Sequence, residues 1–280
     1  MKYADLYISF LKKFLKLKRP VKIVFDCSNG TTGLVLKKIF PRAIIINSKP
    51  NGNFPAHGPD PMASGALNQL RKEVLRRHAD LGIIFDSDGD RVFFMDDRGQ
   101  AIDAEDSGFV LAKNYKQPFI ISADCGWRMR QHKIIVSKVG RYFVKKKMVE
   151  KKADFGTERS GHYYFKDFYH SDSGIFAAIR MINFISGLNG KISGYLSALP
   201  EIYRFSKNFK VSDKERIMHK VERFYRKEKA VKIDGLSVEM KGFRFCLRPS
   251  NTENLIRLNA EAVNKEILDK ELKILKKFIK

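Results

Sequence analysis

Short apolar runs alternate with helical patterns along the first hundred residues. Three of these runs have the length of buried strands, at 21–25, 43–47 and 81–85. Between them, apolar residues recur at helical spacing over 33–40 and 64–78, and turn residues stand at the boundaries. Because strands separated by helices pair in parallel through right-handed crossovers, residues 1–100 predict a three-layer α/β/α domain.

The same alternation resumes in shortened form after residue 100. Strand patterns lie at 119–123 and 133–137, and helical patterns lie at 142–151 and 175–186. Residues 101–200 therefore predict a second α/β/α domain.

After Pro200 the pattern changes to clustered short strands with two longer helices. The predicted strands are 209–211, 231–233, 237–240, 243–247 and 255–260, and the predicted helices are 213–227 and 265–280. Such a succession is typical of an α+β domain, so residues 201–280 predict a smaller domain of that class.

The N-terminal segment carries large apolar side chains at helical spacing, namely Tyr3, Leu6, Tyr7, Phe10, Phe14 and Leu17. A helix of this kind either packs against the rest of the protein or lies on a membrane surface, and we favour packing. No apolar run approaches the roughly 18 to 20 residues that a membrane span requires. The sequence therefore predicts neither a membrane span nor export.

The chain has 54 Lys and Arg against 31 Asp and Glu, which gives a formal net charge of +23. A field of this sign attracts anions such as nucleic acid, anionic lipid or phosphorylated metabolites. The basic residues are distributed over the whole chain, whereas a nucleic-acid-binding surface concentrates them. We therefore interpret most of this charge as solvated surface and keep nucleic-acid binding as an alternative.

Cysteine usage indicates a reducing environment. Cys27, Cys125 and Cys246 are far apart and form no paired motif. Neither a zinc site nor a disulfide framework is predicted. We expect the protein to be cytoplasmic.

The strongest chemical signal is the acidic loop Asp86-Ser87-Asp88-Gly89-Asp90-Arg91, between predicted strands at 81–85 and 92–95. Carboxylates at alternate positions of a tight loop repel one another unless a cation neutralises them. Oxygen-only ligands favour a hard cation, and Mg²⁺ is the one we expect. An EF-hand is excluded because glycine stands fourth rather than sixth in the loop. A solvated acidic turn is the alternative.

Two further loops combine groups that recognise sugars and phosphates. Gly156-Thr157-Glu158-Arg159-Ser160-Gly161-His162 places an acid, a hydroxyl and an imidazole between glycines that allow a ligand to approach closely. Arg248-Pro249-Ser250-Asn251-Thr252-Glu253 offers a guanidinium fork, hydroxyls and turn N–H groups, which suit a phosphate. Each loop is also compatible with a plain polar turn.

In this order and at these spacings, the three loops resemble those of the α-D-phosphohexomutase superfamily, which has a D-x-D-G-D-R metal loop, a G-E-x-S-G-H sugar loop and an R-x-S-N-T phosphate clamp. The chain is similar over nearly its whole length to the bacterial phosphomannomutase/phosphoglucomutase type. The resemblance implies two mutase-type α/β/α domains and a C-terminal α+β domain, corresponding to the family's second, third and fourth domains. It also implies an isomerase of carbohydrate metabolism that uses Mg²⁺ to move a phosphoryl group on a hexose phosphate.

The resemblance assigns a role to each loop. The metal ligands would be Asp86, Asp88 and Asp90, and Arg91 would meet the transferring phosphoryl group. The sugar would be bound by Glu158, Ser160 and His162. The distal phosphate of a hexose phosphate or bisphosphate would be clamped by Arg248, Ser250, Asn251 and Thr252.

Some features depart from the family. No serine lies in a loop of the family's T-A-S-H-N-P type, so we expect the phosphoserine domain to be missing from this chain and turnover to need a partner that carries it. Asp124 and Arg141 stand where the similar branch has a Lys and a His with proton-transfer roles. The alternatives are a phosphosugar-binding or regulatory module without turnover, a nucleic-acid-binding protein on a mutase scaffold, and a fragment of a longer mutase.

Overall fold

Three five-stranded sheets follow one another along the chain in the computed structural model, which describes residues 3–250 and 252–279. We call each sheet with its helices the first, middle and last unit. The first two units are mixed α/β and the last is α+β, which confirms the predicted fold class.

The first unit has a mixed sheet with strand order β2-β1-β3-β4-β5, in which β2, β1 and β3 are parallel and β4 and β5 are antiparallel to their neighbours. Its elements are α1 (Tyr3–Lys12), β1 (Ile23–Asp26), α2 (Gly33–Ile39), β2 (Ile44–Ile46), α3 (Asn68–Arg77), β3 (Leu81–Phe85), β4 (Val92–Met95) and β5 (Ala101–Ile102). β1 and β3 run parallel side by side, and every residue of both strands is buried. Loops that leave these two strands therefore emerge at the same edge of the sheet.

The middle unit repeats this plan with strand order β10-β9-β8-β6-β7. Its elements are α4 (Ala104–Ala112), β6 (Phe119–Ser122), α5 (Trp127–Arg130), β7 (Ile134–Ser137), α6 (Arg141–Lys151), β8 (Phe155–Thr157), β9 (Tyr163–Phe165), a 3₁₀ turn (Lys166–Phe168), β10 (Ser171–Asp172), α7 (Gly174–Ser186) and α8 (Ile192–Ser197). The sequence patterns did not predict α4, because eight of its nine residues are buried and the helix lacks a polar face.

The last unit is an antiparallel sheet with strand order β11-β15-β14-β13-β12. Its elements are β11 (Tyr203–Lys210), α9 (Lys214–Phe224), β12 (Lys229–Val231), β13 (Leu236–Met240), β14 (Phe243–Pro249), β15 (Leu255–Ala262) and α10 (Lys265–Ile279). β11 begins at Tyr203, whereas the sequence pattern predicts a strand only from residue 209. β11 is an edge strand with exposed polar side chains, which weakens the apolar signal.

One hydrophobic cluster joins the first and middle units, and the last unit has its own. The N-terminal segment belongs to the first cluster: Leu11 is fully buried, and the ring of Phe14 lies 4.8 Å from that of Phe176 in α7. The favoured interpretation of this segment as a packing face agrees with these contacts. Among the described helices, none has an apolar stretch long enough to cross a bilayer.

Candidate functional site

The acidic loop lies at the carboxyl end of β3, where the chain turns back into β4. Asp86, Asp88 and Asp90 each offer a carboxylate oxygen, and these atoms lie within 4.8 Å of one another. Gly89 adopts a φ of +78°, a left-handed conformation that lets the loop turn tightly. Asp86 is buried and Asp88 is exposed, so the cluster opens to solvent on one side. An oxygen-only set of this kind fits a hard divalent cation such as Mg²⁺.

Asp86 organises this loop through three hydrogen bonds. Its Oδ1 accepts the backbone N–H groups of Gly89 and Arg91, each at 3.1 Å, and its Oδ2 accepts Arg91 Nε at 2.7 Å. Burial raises the pKa of Asp86, and the charge of Asp90 adds to this effect while Arg91 opposes it. A bound cation would therefore relieve repulsion within the cluster, and the Arg91 guanidinium is fixed beside it.

A buried polar network supports the acidic loop from β1. Asp26 is fully buried, accepts hydrogen bonds at 3.0 Å from Ser28 N–H and Asn47 Nδ2, and lies 3.1 Å from His57 Nε2. The hydrogen bond to Asp26 raises the pKa of His57. Ser28 Oγ donates to the carbonyl of Phe85 at 2.6 Å, so this network fixes the residue directly before the acidic loop.

The second loop is a tight turn between β8 and β9. The Glu158 N–H donates to the carbonyl of His162 at 2.9 Å, and Gly161 has a φ of +89°. The Glu158 side chain accepts hydrogen bonds from the Gly140 N–H, at 2.9 Å, and from the Tyr164 hydroxyl. Burial raises the pKa of Glu158, which is only 2% exposed. Glu158 thus forms the base of this loop, whereas Ser160 is half-buried.

His162 is held against a buried carboxylate. Its Nδ1 lies 2.7 Å from Asp172 Oδ2 and 3.8 Å from Asp90 Oδ1. Burial opposes the charged imidazole, but the hydrogen bond to Asp172 and the charges of Asp90 and Glu158 outweigh it and raise the pKa of His162. The raised pKa favours the imidazolium form, which donates hydrogen bonds from both nitrogens, more than in a free histidine.

The acidic loop and the second loop are in direct contact. Arg91 and His162 form an isolated antiparallel bridge, and the Val92 N–H donates to the carbonyl of Gly161 at 3.1 Å. The Gly174 N–H at the start of α7 donates to the carbonyl of Gly89 at 3.0 Å. These bonds fix Asp90 and His162 on the same side of the junction between the first and middle units.

The third loop begins with the last two residues of β14 in the last unit. Arg248 Nη1 lies 3.2 Å from Asp234 Oδ2, and Ser250 Oγ accepts the Glu253 N–H at 3.2 Å. Lys214 Nζ donates to the carbonyls of Ser250, at 2.8 Å, and Glu253, at 3.1 Å, and adds a positive charge that the sequence analysis did not assign to this loop.

The other two predicted clamp residues are Thr252 and Asn251. Thr252 is exposed, next to Glu253. Asn251, also predicted to bind phosphate, lies outside the described residues.

A chain of hydrogen bonds links the third loop to the second. Asp234 Oδ2, which contacts Arg248, also accepts the Val139 N–H at 3.1 Å. The next N–H, of Gly140, donates to Glu158. The three predicted loops are therefore connected through short polar contacts.

The structure adds residues that sequence patterns did not assign to the site. Asp172, whose Oδ2 lies 2.7 Å from His162 Nδ1, belongs to none of the three predicted loops. Arg141 was noted only as a departure, yet it contacts both Asp90 and Asp172. Asp234 and Lys214 carry no motif, because their partners are distant in sequence.

Family models match three consecutive parts of the chain. They are described as phosphoglucomutase/phosphomannomutase alpha/beta/alpha domain II, alpha/beta/alpha domain III and C-terminal domain, and they match residues 5–99, 123–203 and 207–275.

Individual proteins agree with these matches. A phosphomannomutase of Methanocaldococcus jannaschii is 34% identical over 98% of this chain, which spans 66% of that relative's length. A crystal structure of a phosphoglucomutase/phosphomannomutase family protein from Burkholderia thailandensis is 27% identical, with a TM-score of 0.85 over 98% of this chain and 63% of the other. An Aspergillus fumigatus N-acetylphosphoglucosamine mutase, in complex with GlcNAc-6P and magnesium, shares the fold at 12% identity, with a TM-score of 0.70 over 99% of this chain and 70% of the other.

Proposed function

Because the chain belongs to the phosphoglucomutase/phosphomannomutase family, we propose that it forms the metal-binding, sugar-binding and phosphate-binding part of a phosphohexomutase. Such an enzyme is an isomerase that moves a phosphoryl group between two positions of a hexose phosphate. The observation that carries this proposal is the continuous contact among the three loops, from Arg91 to His162 and from Glu158 through Gly140 to Asp234 and Arg248.

The acidic loop would hold Mg²⁺ through Asp86, Asp88 and Asp90. When bound, this ion supplies positive charge that stabilises a phosphoryl group during transfer. Arg91, fixed by Asp86, would present its guanidinium to the same phosphoryl oxygens.

The other two loops would hold the rest of the substrate. Ser160 and His162 would bind sugar hydroxyls, and Glu158 would orient the loop while offering a remaining carboxylate lone pair. The distal phosphate would be bound by Arg248, Ser250, Asn251 and Thr252. Lys214 adds charge behind this clamp.

The phosphoryl donor would be a phosphoserine outside residues 1–280. It would be carried either by a separate partner chain or by a longer form of this one. A cytoplasmic setting suits this chemistry, and the three cysteines are free and buried.

Mixing the chain with a phosphorylated serine-domain protein tests this proposal. We expect conversion of glucose 1-phosphate to glucose 6-phosphate that depends on Mg²⁺. The Asp88→Asn variant should lose this conversion, because it removes one negative charge from the acidic cluster that would hold Mg²⁺. Asp88 is exposed, so the substitution leaves the buried core intact. No conversion, together with no calorimetric binding of a hexose bisphosphate in the presence of Mg²⁺, would refute it.

A phosphosugar-binding module without turnover is the second candidate, and the environment of two side chains favours it. Arg141 remains protonated at neutral pH and cannot relay protons as a histidine does. Asp124 accepts a hydrogen bond from Ser122 at 2.5 Å. Binding of hexose bisphosphate without conversion by any serine-domain protein would select this candidate over the enzyme.

A further inference from the structure

Asp90, His162 and Asp172 bring ligand atoms within 4.8 Å of one another, in the manner of a second cation site beside the acidic loop. Asp90 belongs to both groups. The position beside Asp90 and Asp172 is already taken by a positive charge of the protein itself, the guanidinium of Arg141 at the start of α6.

Arg141 bridges the two carboxylates with different nitrogens. Its Nε lies 3.0 Å from Asp172 Oδ2, and its Nη2 donates to Asp90 Oδ2. The two partners differ in exposure, because the Asp172 side chain is 3% exposed and also contacts His162, whereas the Asp90 side chain is 23% exposed. The Arg141 side chain is 54% exposed, so its contact with Asp90 is the one that can be exchanged.

We propose that Arg141 is an internal counter-cation of the acidic loop, which holds Asp90 until a divalent ion displaces it. This inference rests on the proposed metal site and adds a residue that regulates the affinity of that site. Asp86 is neutralised by Arg91, so Asp90 is the ligand whose charge Arg141 offsets. The positive charge of Arg141 beside Asp90 Oδ2 repels a divalent ion at the same carboxylate, and the two cations therefore compete for Asp90.

The exposure of the Arg141 and Asp90 side chains sets how strongly their ion pair should weaken divalent-ion binding. An ion pair that is largely exposed to water contributes little, so its removal should tighten divalent-ion binding by about two- to fivefold. After displacement, the guanidinium remains anchored on Asp172, close to the cleft where a substrate phosphate would bind.

A titration with Mn²⁺, followed by electron paramagnetic resonance at low ionic strength, tests this inference without measuring activity. The Arg141→Gln variant removes the charge but keeps hydrogen-bonding groups. The control is Lys146→Ala on the same helix, which removes one positive charge that lies 5.7 Å from the Tyr142 ring. We expect Arg141→Gln to bind Mn²⁺ about two- to fivefold more tightly than both the unmodified protein and the control.

Equal or weaker Mn²⁺ binding by Arg141→Gln would overturn the counter-cation role while leaving the metal site in place. Equal tightening by Lys146→Ala would also overturn it, since the effect would then be long-range charge alone. Absence of Mn²⁺ binding by all three proteins would overturn both this inference and the proposed metal site. Circular dichroism checks that each variant is folded, and Arg141→Ala serves as a second variant.

Discussion

Glu105 shows how one buried side chain depends on charges from the middle and last units. It is 1% exposed, and its Oε1 accepts the Gly126 N–H at 2.7 Å and lies 3.1 Å from Arg159 Nη1. The charged group around it consists of the carboxylates of Asp103, Asp106 and Glu261 and the guanidinium groups of Arg128, Arg159 and Arg204. With Glu105 included, carboxylates outnumber guanidinium groups by one. Burial and then repulsion from Glu261 raise the pKa of Glu105 to about 8, so the group is balanced when Glu105 is protonated.

The Glu105→Gln variant should therefore lose part of the pH dependence of stability. Because the folded-state pKa is raised, the stabilisation is complete below the ordinary pKa of 4.5 and declines as the pH rises towards 8. The free energy of unfolding is measured by urea titration at pH 5 and at pH 8. Its decrease from pH 5 to pH 8 should be smaller in the variant than in the unmodified protein by roughly 1–3 kcal/mol. Glu266→Gln, at an exposed position of α10, is the control. If the free energy of unfolding decreases from pH 5 to pH 8 as much in Glu105→Gln as in the unmodified protein, Glu105 is ionised in the folded protein throughout this range.

At the scale of elements, α1 illustrates a helix whose stability depends on what it packs against. Leu11 is fully buried, whereas Tyr3 is 91% and Leu6 is 51% exposed. Phe10 and Phe14 extend the contact to Phe168 and Phe176 of the middle unit, with ring centroids 5.9 and 4.8 Å apart. This N-terminal helix therefore joins two units through one apolar face.

Replacement of Leu11 by alanine should lower the free energy of unfolding by about 2–5 kcal/mol, because it removes buried methyl groups and leaves a cavity. Leu6→Ala on the same helix should change it by no more than about 0.5 kcal/mol. Urea denaturation monitored by circular dichroism measures both values. Similar small effects of the two substitutions would argue against packing and would restore the alternative of a membrane-surface helix.

At the scale of the whole molecule, polar contacts hold the last unit against the middle unit. Arg204 of β11 binds both oxygens of Asp106, at 3.0 and 3.1 Å, and Glu261 of β15 accepts the Trp127 N–H at 2.7 Å. Arg244 Nη2 donates to the carbonyl of Ala123 at 3.0 Å. These contacts set the position of the third loop relative to the other two.

The Arg204→Ala variant should loosen this junction, because it removes a positive charge that pairs with Asp106 and with the buried Glu261. We expect a loss of roughly 3 kcal/mol in the free energy of unfolding. Amide hydrogen exchange should become faster at Trp127, while β14 stays protected. Lys207→Ala, at an exposed position of the same strand, should have neither effect. If Arg204→Ala exchanges no faster than this control, the ion pairs do not hold the junction.

The sequence by itself determined the elements and motifs that depend on short-range order. The strands Leu81–Phe85 and Val92–Met95 have the predicted bounds, because an apolar run between turn residues is a local signal. The acidic loop between them was recognisable for the same reason, since its three carboxylates lie within five residues. The domain boundaries and the roles of the individual site residues remain predictions.

Only the tertiary structure decided which groups meet across the units. Arg141 contacts Asp90 across 51 positions of the chain, and Asp234 contacts Val139 across 95. Such contacts depend on how separately built sheets pack together, and no local propensity or spacing encodes that packing. For the same reason, the sequence could not show that the Glu158 carboxylate accepts hydrogen bonds from Gly140 and Tyr164, and its role in sugar binding remains a prediction.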